Sequence, residues 1–99
     1  MSGNSHRYLV AYDVIDDTRR SRLAKKLQSY GDRVQYSVFW IEIGPARFVR
    51  LRAALEKIVD SGEDSVMLLD LGPASAPVGE RVVYLGQQRS LTPTNTILA

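Results

Sequence analysis

Cysteine is absent from the chain, which excludes disulfides, thiolate metal sites and cysteine nucleophiles. The same absence is compatible with a reducing compartment, and a cytoplasmic protein is expected. No apolar run approaches membrane-spanning length, and the opening residues MSGNSHR lack the apolar core of a signal peptide. A membrane partner is therefore not expected. There is no glycine-rich phosphate loop, and Ser37 has no nearby base to activate it. The single histidine, His6, stands in a ragged polar start and is given no role.

What is present suits one folded domain. The 99 residues leave no room for a separate catalytic module, and 44% hydrophobic content is ordinary for a globular chain. A domain of this size leaves much of its surface in water, for which oligomerisation is a common remedy. The net charge is only +2, but residues 1–60 hold eleven Lys and Arg against seven Asp and Glu, while residues 61–99 hold two against four. The basic surplus sits in the first half, which is compatible with a polyanionic partner.

The run Tyr8, Leu9, Val10, Ala11, Tyr12 predicts a strand over about Arg7 to Val14, covered on both faces or nearly so. Asp16, Asp17 and Thr18 supply capping oxygens and negative charge for a helix over about 18–30, with Gly31 as its left-handed stop. Leu23, Ala24, Leu27 and Tyr30 form its apolar arc, and Arg19, Arg22, Lys25 and Lys26 the opposite one. Arg20 falls on the apolar side, so its side chain must reach back toward the helix N-terminus and Asp13. The segment RVQYSVFWIEI alternates as β structure, as one long strand or as two with a bend near Tyr36 and Ser37. Pro45 suits the start of a second helix, whose stripe is Phe48, Leu51, Leu55 and Ile58. SVMLLDL (65–71) reads as a strand, GPASAP as a loop and ERVVYL (80–85) as a last short strand. With the middle segment divided, the expectation is an α+β, ferredoxin-like βαββαβ sandwich with an additional C-terminal strand. The domain boundaries follow: residues 1–7 a disordered extension, 8–86 the folded domain, and 87–99 a tail that docks on a partner.

Asp13 is the leading candidate for chemistry. Ligands collect at strand C-termini beside the next helix, and a carboxylate there holds a divalent cation while nearby arginines receive phosphate oxygens. The alternative is that Asp13 only opens the turn. Asp16 and Asp17 are read as caps. Mg²⁺ typically takes one or two carboxylates and completes its shell with water and substrate oxygens, so two copies of Asp13 across a dimer axis would make a better site than one. The cations Arg19, Arg20, Arg22, Lys25, Lys26 and Arg33, joined by Arg47, Arg50 and Arg52, form the candidate backbone-binding set. Residues 18–30 contain no acid to pair with them. The aromatics Tyr36, Phe39 and Trp40 are read as core or dimer interface before base-stacking groups. Trp40 would be exposed, as a dimer or partner contact, if the opposite strand face is the buried one.

The segments YLVAYDV, DDTRRSRLAKKLQSYG, RVQYSVFWIEI and EDSVMLLDLG, in that order and spacing, resemble the CRISPR-associated protein 2 family over residues 8–72. The resemblance implies a ferredoxin-like homodimer whose C-terminal strands pack on the partner's sheet. It implies Asp13 as the strand-ending aspartate facing its twin, with Mg²⁺ (or Mn²⁺) between them. It also implies a metal-dependent endonuclease acting on single-stranded RNA or duplex DNA, and a partnership with the CRISPR-associated protein 1 integrase in spacer acquisition. A non-catalytic DNA-binding scaffold for that integrase is the alternative. Many relatives carry a glutamate after SVF, where this chain has Trp40; Met1 to His6 are extra, and only RVVYLG matches loosely beyond Gly72.

Overall fold

The apolar run of the first segment forms the central strand of the sheet. In the computed structural model, which describes residues 4–76 and 81–87, β1 (His6–Asp13) pairs antiparallel with β3 (Val38–Ile43) on one side and β4 (Ser65–Pro73) on the other. β2 (Gly31–Gln35) lies outside β3, giving the order β2-β3-β1-β4. Helices α1 (Asp17–Gln28) and α2 (Pro45–Ile58) supply the two crossovers. This is the expected ferredoxin-like arrangement. The middle segment divides into a hairpin turning at Tyr36 and Ser37, and the amide of Tyr12 donates to the Ser37 carbonyl at 3.1 Å, which ties the turn to the end of β1.

Both helices cover one face. Leu23, Ala24 and Leu27 of α1 and Leu51, Leu55 and Ile58 of α2 bury against Val10, Tyr12, Phe39, Ile41 and Ile43. Alternation along the strands sends the intervening residues to the opposite face, which neither α1 nor α2 covers. There Trp40 and Val34 form a second cluster with Leu9, Val38, Leu71 and Val82.

Several expectations change. Trp40 is not exposed: Leu71 and Val82 help bury it to 5% exposure. Phe39 is a fully buried residue of the protomer's own core, so its expected place in a dimer interface is corrected. Gly31 is not a left-handed stop, since α1 ends at Gln28 and the positive-φ residues among those described are Gly72 and Gly86. Glycine is required at 31 for close approach: a Cβ there would overlap the Trp40 carbonyl and come within 2.7 Å of Ile41 Cγ1.

The boundary at residue 8 also moves. His6 and Arg7 belong to β1, and Arg7 is buried, donating to Glu42 at 2.8 Å and to the carbonyls of Ala74 and Ala76. His6 Nδ1 meets Asp70 Oδ1 at 2.9 Å. Residues 1–3 lie outside the described residues. The last strand expected over 80–85 is not formed at Arg81–Leu85, whereas Glu80 falls outside the description. A strand exists only by pairing, and this segment contributes a packed side chain, Val82, without joining the ladder.

Candidate functional site

Asp13 is the last residue of β1, exposed, and opposite Ser65 of β4 in the register. The pairs Leu9 with Leu69, Ala11 with Met67 and Asp13 with Ser65 lie at two-residue intervals. The carboxylate therefore belongs to the open face, in line with Met67 and Leu69, which are 51% and 45% exposed. Val14, the next residue, is buried in the helix-covered core and anchors the chain as it leaves the sheet.

The turn after Asp13 is built by the acids and arginines of the helix start. Asp16 is the N-cap of α1, its Oδ2 accepting from the Arg19 amide at 2.9 Å. Arg20 does reach back as expected, but it grips the turn and not Asp13. Its Nη1 donates to the carbonyls of Val14 and Ile15, each at 2.9 Å, and its Nη2 to Asp17 Oδ1. The bond to Asp17 is the main reason its pKa is raised.

Arg19 is likewise committed. Its Nε donates to Asp64 Oδ2 at 2.7 Å and its Nη2 to Glu63 Oε1 at 3.2 Å. The Asp64 side chain is fully enclosed and also accepts from the Asp60 amide at 2.8 Å. These two bonds, Arg19 first, hold the Asp64 carboxyl below the usual range, and the same contact raises Arg19. The carboxylate that holds the Arg19 guanidinium comes from the α2–β4 turn, 45 residues away.

Arg33 lies on the helix-covered side, its guanidinium 5.4 Å from the centre of the Phe39 ring. Burial raises the Tyr12 hydroxyl, while Arg33 beside it works in the opposite direction. Tyr36 stands at the hairpin turn with 67% exposure, its hydroxyl an electrostatic neighbour of the Arg20 guanidinium.

The remaining cations gather elsewhere. Arg22, Lys25 and Lys26 of α1 face Arg50 and Lys57 of α2 across an open groove of about 820 Å³, floored by Ala53, Ala54 and Ile58. None of the five has an acidic partner among the described residues. Arg47 stacks over Tyr30, 4.8 Å from the ring centre, and Arg52 pairs with Glu56 at 3.5 Å. Reading the sequence singles out Arg22, Lys25, Lys26 and Arg50 but leaves Lys57 out of the candidate set. It also misses Asp64 as a partner; the acidic cluster DSGED was the available signal.

The fit to a divalent cation is that of a half-site. Among the described residues no group of three or more potential ligands comes together. Asp13 offers one exposed carboxylate beside an open face, which suits Mg²⁺ only if a second carboxylate and the substrate complete the shell.

The family model described as CRISPR associated protein Cas2 matches residues 6–76. Among relatives, the CRISPR-associated endoribonuclease Cas2 4 of Rhodospirillum rubrum is 46% identical over 46 residues, 46% of this chain and 37% of that protein. The CRISPR-associated endonuclease Cas2 2 of Thermus thermophilus is 69% identical over 32 residues, 32% of this chain and 36% of its own length. These matches span less than half of each relative. Among solved structures, Cas2 of Streptococcus pyogenes superposes with a TM-score of 0.72 at 36% identity, covering 81% of this chain and 99% of that one. A chain of a partial Cas6-RT-Cas1–Cas2 complex gives a TM-score of 0.67 at 26% identity, covering 94% and 99%.

Proposed function

Because the chain belongs to the CRISPR associated protein Cas2 family, we propose that it acts in CRISPR spacer acquisition as a homodimeric, Mg²⁺-dependent nuclease. It cuts phosphodiester bonds of single-stranded RNA, duplex DNA or both, and partners the Cas1 integrase. The observation that carries this reading is the place of Asp13: an exposed carboxylate at the end of β1, on the sheet face away from α1 and α2. Met67 and Leu69 stand exposed on that same face. A second copy seated there buries them and brings the two Asp13 carboxylates together. The pair would hold Mg²⁺, or Mn²⁺ with the same donor chemistry, which when bound supplies activation of water and charge stabilisation at the phosphate. The name of a relative as an endoribonuclease, and the similarity to a chain of a Cas1–Cas2 assembly, support the reaction class and the partner.

The residues of this chain then divide the work. Asp13 provides the metal-binding carboxylate. Arg20 and Asp16 hold the turn that aims it, by gripping the carbonyls of Val14 and Ile15 and by capping α1. Arg19 locks α1 to the α2–β4 turn through Asp64, so it serves position and not phosphate binding. Arg22, Lys25, Lys26, Arg50 and Lys57 attract the nucleic-acid backbone along the groove between the helices.

A second reading rests on the same groove. One exposed carboxylate set against five groove cations with no acidic partner among the described residues suits a scaffold that holds duplex DNA for the integrase without cutting it. The test separates the two. Purified protein with Mg²⁺ is assayed on RNA and on duplex DNA, and Asp13→Asn is expected to lower cleavage by at least about a hundredfold with nucleic-acid affinity retained. Cleavage that survives the substitution removes Asp13 from the mechanism. Acquisition in cells that survives it favours the scaffold.

A further inference from the structure

Three aromatic residues, Tyr36, Phe39 and Trp40, share the hairpin, but only one of them faces solvent. Phe39 and Trp40 are 0% and 5% exposed, whereas Tyr36 is 67% exposed. The Tyr36 ring does not stand alone. Its hydroxyl is an electrostatic neighbour of the Arg20 guanidinium, whose donors hold the Val14 and Ile15 carbonyls and Asp17. The turn beneath it is pinned by the Tyr12 amide on the Ser37 carbonyl. That bond joins the hairpin turn to the end of β1, one residue from Asp13.

An exposed ring on a pinned turn, beside a guanidinium, is an unusual use of a large side chain. Leaving it in water forgoes the burial that its neighbours in the hairpin obtain. The restraint keeps the face presented with little conformational freedom left to lose on binding. A flat, sequence-tolerant face of this kind, beside a guanidinium and on the side of a helix rich in cations, matches an unpaired nucleobase whose backbone runs over positive charge.

We propose that Tyr36, oriented by Arg20, is a stacking platform for an unpaired base of the nucleic-acid substrate, at the Asp13 end of the sheet. This rests on the nuclease reading above and deepens it: the strand near Asp13 is held with a base out of the duplex stack. A base paired in a duplex has no free face to offer, so the contact discriminates single-stranded from double-stranded substrate. The groove cations serve both. Tyr36 therefore adds affinity for single strands only.

The test measures binding of the full chain to a single-stranded RNA oligonucleotide and to a duplex of the same length, for wild type, Tyr36→Phe and Tyr36→Leu. Thermal melting confirms that each variant folds, as expected for an exposed position. Tyr36→Leu is expected to weaken single-strand binding roughly 5- to 150-fold, the loss produced by removing one base–aromatic stack. Its duplex binding and the salt dependence of that binding stay at wild type. Tyr36→Phe keeps the ring and stays near wild type for both. A fluorescent base analogue in the oligonucleotide is quenched by wild type and by Tyr36→Phe but not by Tyr36→Leu.

Equal single-strand affinity for all three proteins overturns the platform while leaving the nuclease reading intact. A loss of dimer on sedimentation of Tyr36→Leu also overturns it, and makes Tyr36 a subunit contact. If wild type binds neither oligonucleotide, the nuclease reading itself fails, and the platform with it.

Discussion

Phe39 and Trp40 are adjacent in sequence and lie on opposite faces of one sheet. The face of Phe39 is finished: two helices close over it, and its strand residues Val10, Phe39 and Ile41 are wholly buried. The face of Trp40 is not. A single cluster covers Trp40, while Met67 and Leu69 remain about half exposed and Asp13 stands at its edge. The finished face supplies the stability of the monomer. The unfinished face carries the proposed site, because a carboxylate proposed to meet metal and substrate would have to stand clear of the helices.

The sharpest way to break this contrast is Phe39→Ala. It opens a cavity in the finished face, and the protein is expected to lose about 3–5 kcal/mol of stability, measured by denaturant unfolding. A loss below about 1 kcal/mol would place Phe39 outside the core and undo the contrast. Met67→Glu tests the other face. It should leave the melting temperature of the isolated chain almost unchanged but raise the dimer dissociation constant at least about tenfold, read by sedimentation. An unaffected dimer would mean that the open face is not where two copies meet.

A smaller effect is expected from replacing Arg22, Lys25 and Lys26 together by glutamine. Each phosphate contact contributes about 0.9 to the slope of log affinity against log salt for duplex DNA. The triple variant should therefore flatten that slope by up to about 2.7 without changing the melting temperature. An unchanged slope would leave the groove a solvated surface.

The mildest effect comes from pH. Asp64 is held below the ordinary carboxylate range by Arg19 first and by the Asp60 amide second. Asp70 is held low by His6 first and by the Gly72 amide second. A carboxyl whose folded value is depressed binds protons more readily when unfolded. Its contribution is complete above the unfolded value and is lost as pH falls through the folded one. Melting temperatures should thus be level near neutrality and decline below about pH 4. In Asp64→Asn the melting temperature should be lower at neutral pH and its decline in acid shallower; identical acid profiles would show that the Arg19 contact contributes nothing.

Much of this was legible in the chain. The capping acids at 16 and 17, the apolar arc of Leu23, Ala24 and Leu27, and Pro45 at a helix start are local statements, and local energetics decide them. Arg20 could be placed at the turn because its position on the apolar arc left it one route out. Its partners could not be read, because the carbonyls of Val14 and Ile15 become acceptors only once the chain bends there. Arg19 looked free because its partner lies 45 residues away. Trp40 looked exposed because alternation assigns a side chain to a face without saying what else covers it.

Sequence alone settled the amphipathic faces of both helices and the carboxylate that ends the first strand, since each follows from periodicity and capping within a few residues; the division of the middle segment into two strands and the fate of residues 81–85 it left to the tertiary structure. Tertiary structure alone decided which cations are spent on Asp64 and Asp17 and which remain around the groove. It also decided that Gly31 serves a close approach to β3, and that of three hairpin aromatics Tyr36 faces water. The physical reason is common to all of these: pairing and burial depend on groups brought together through space, and no spacing along the chain encodes them.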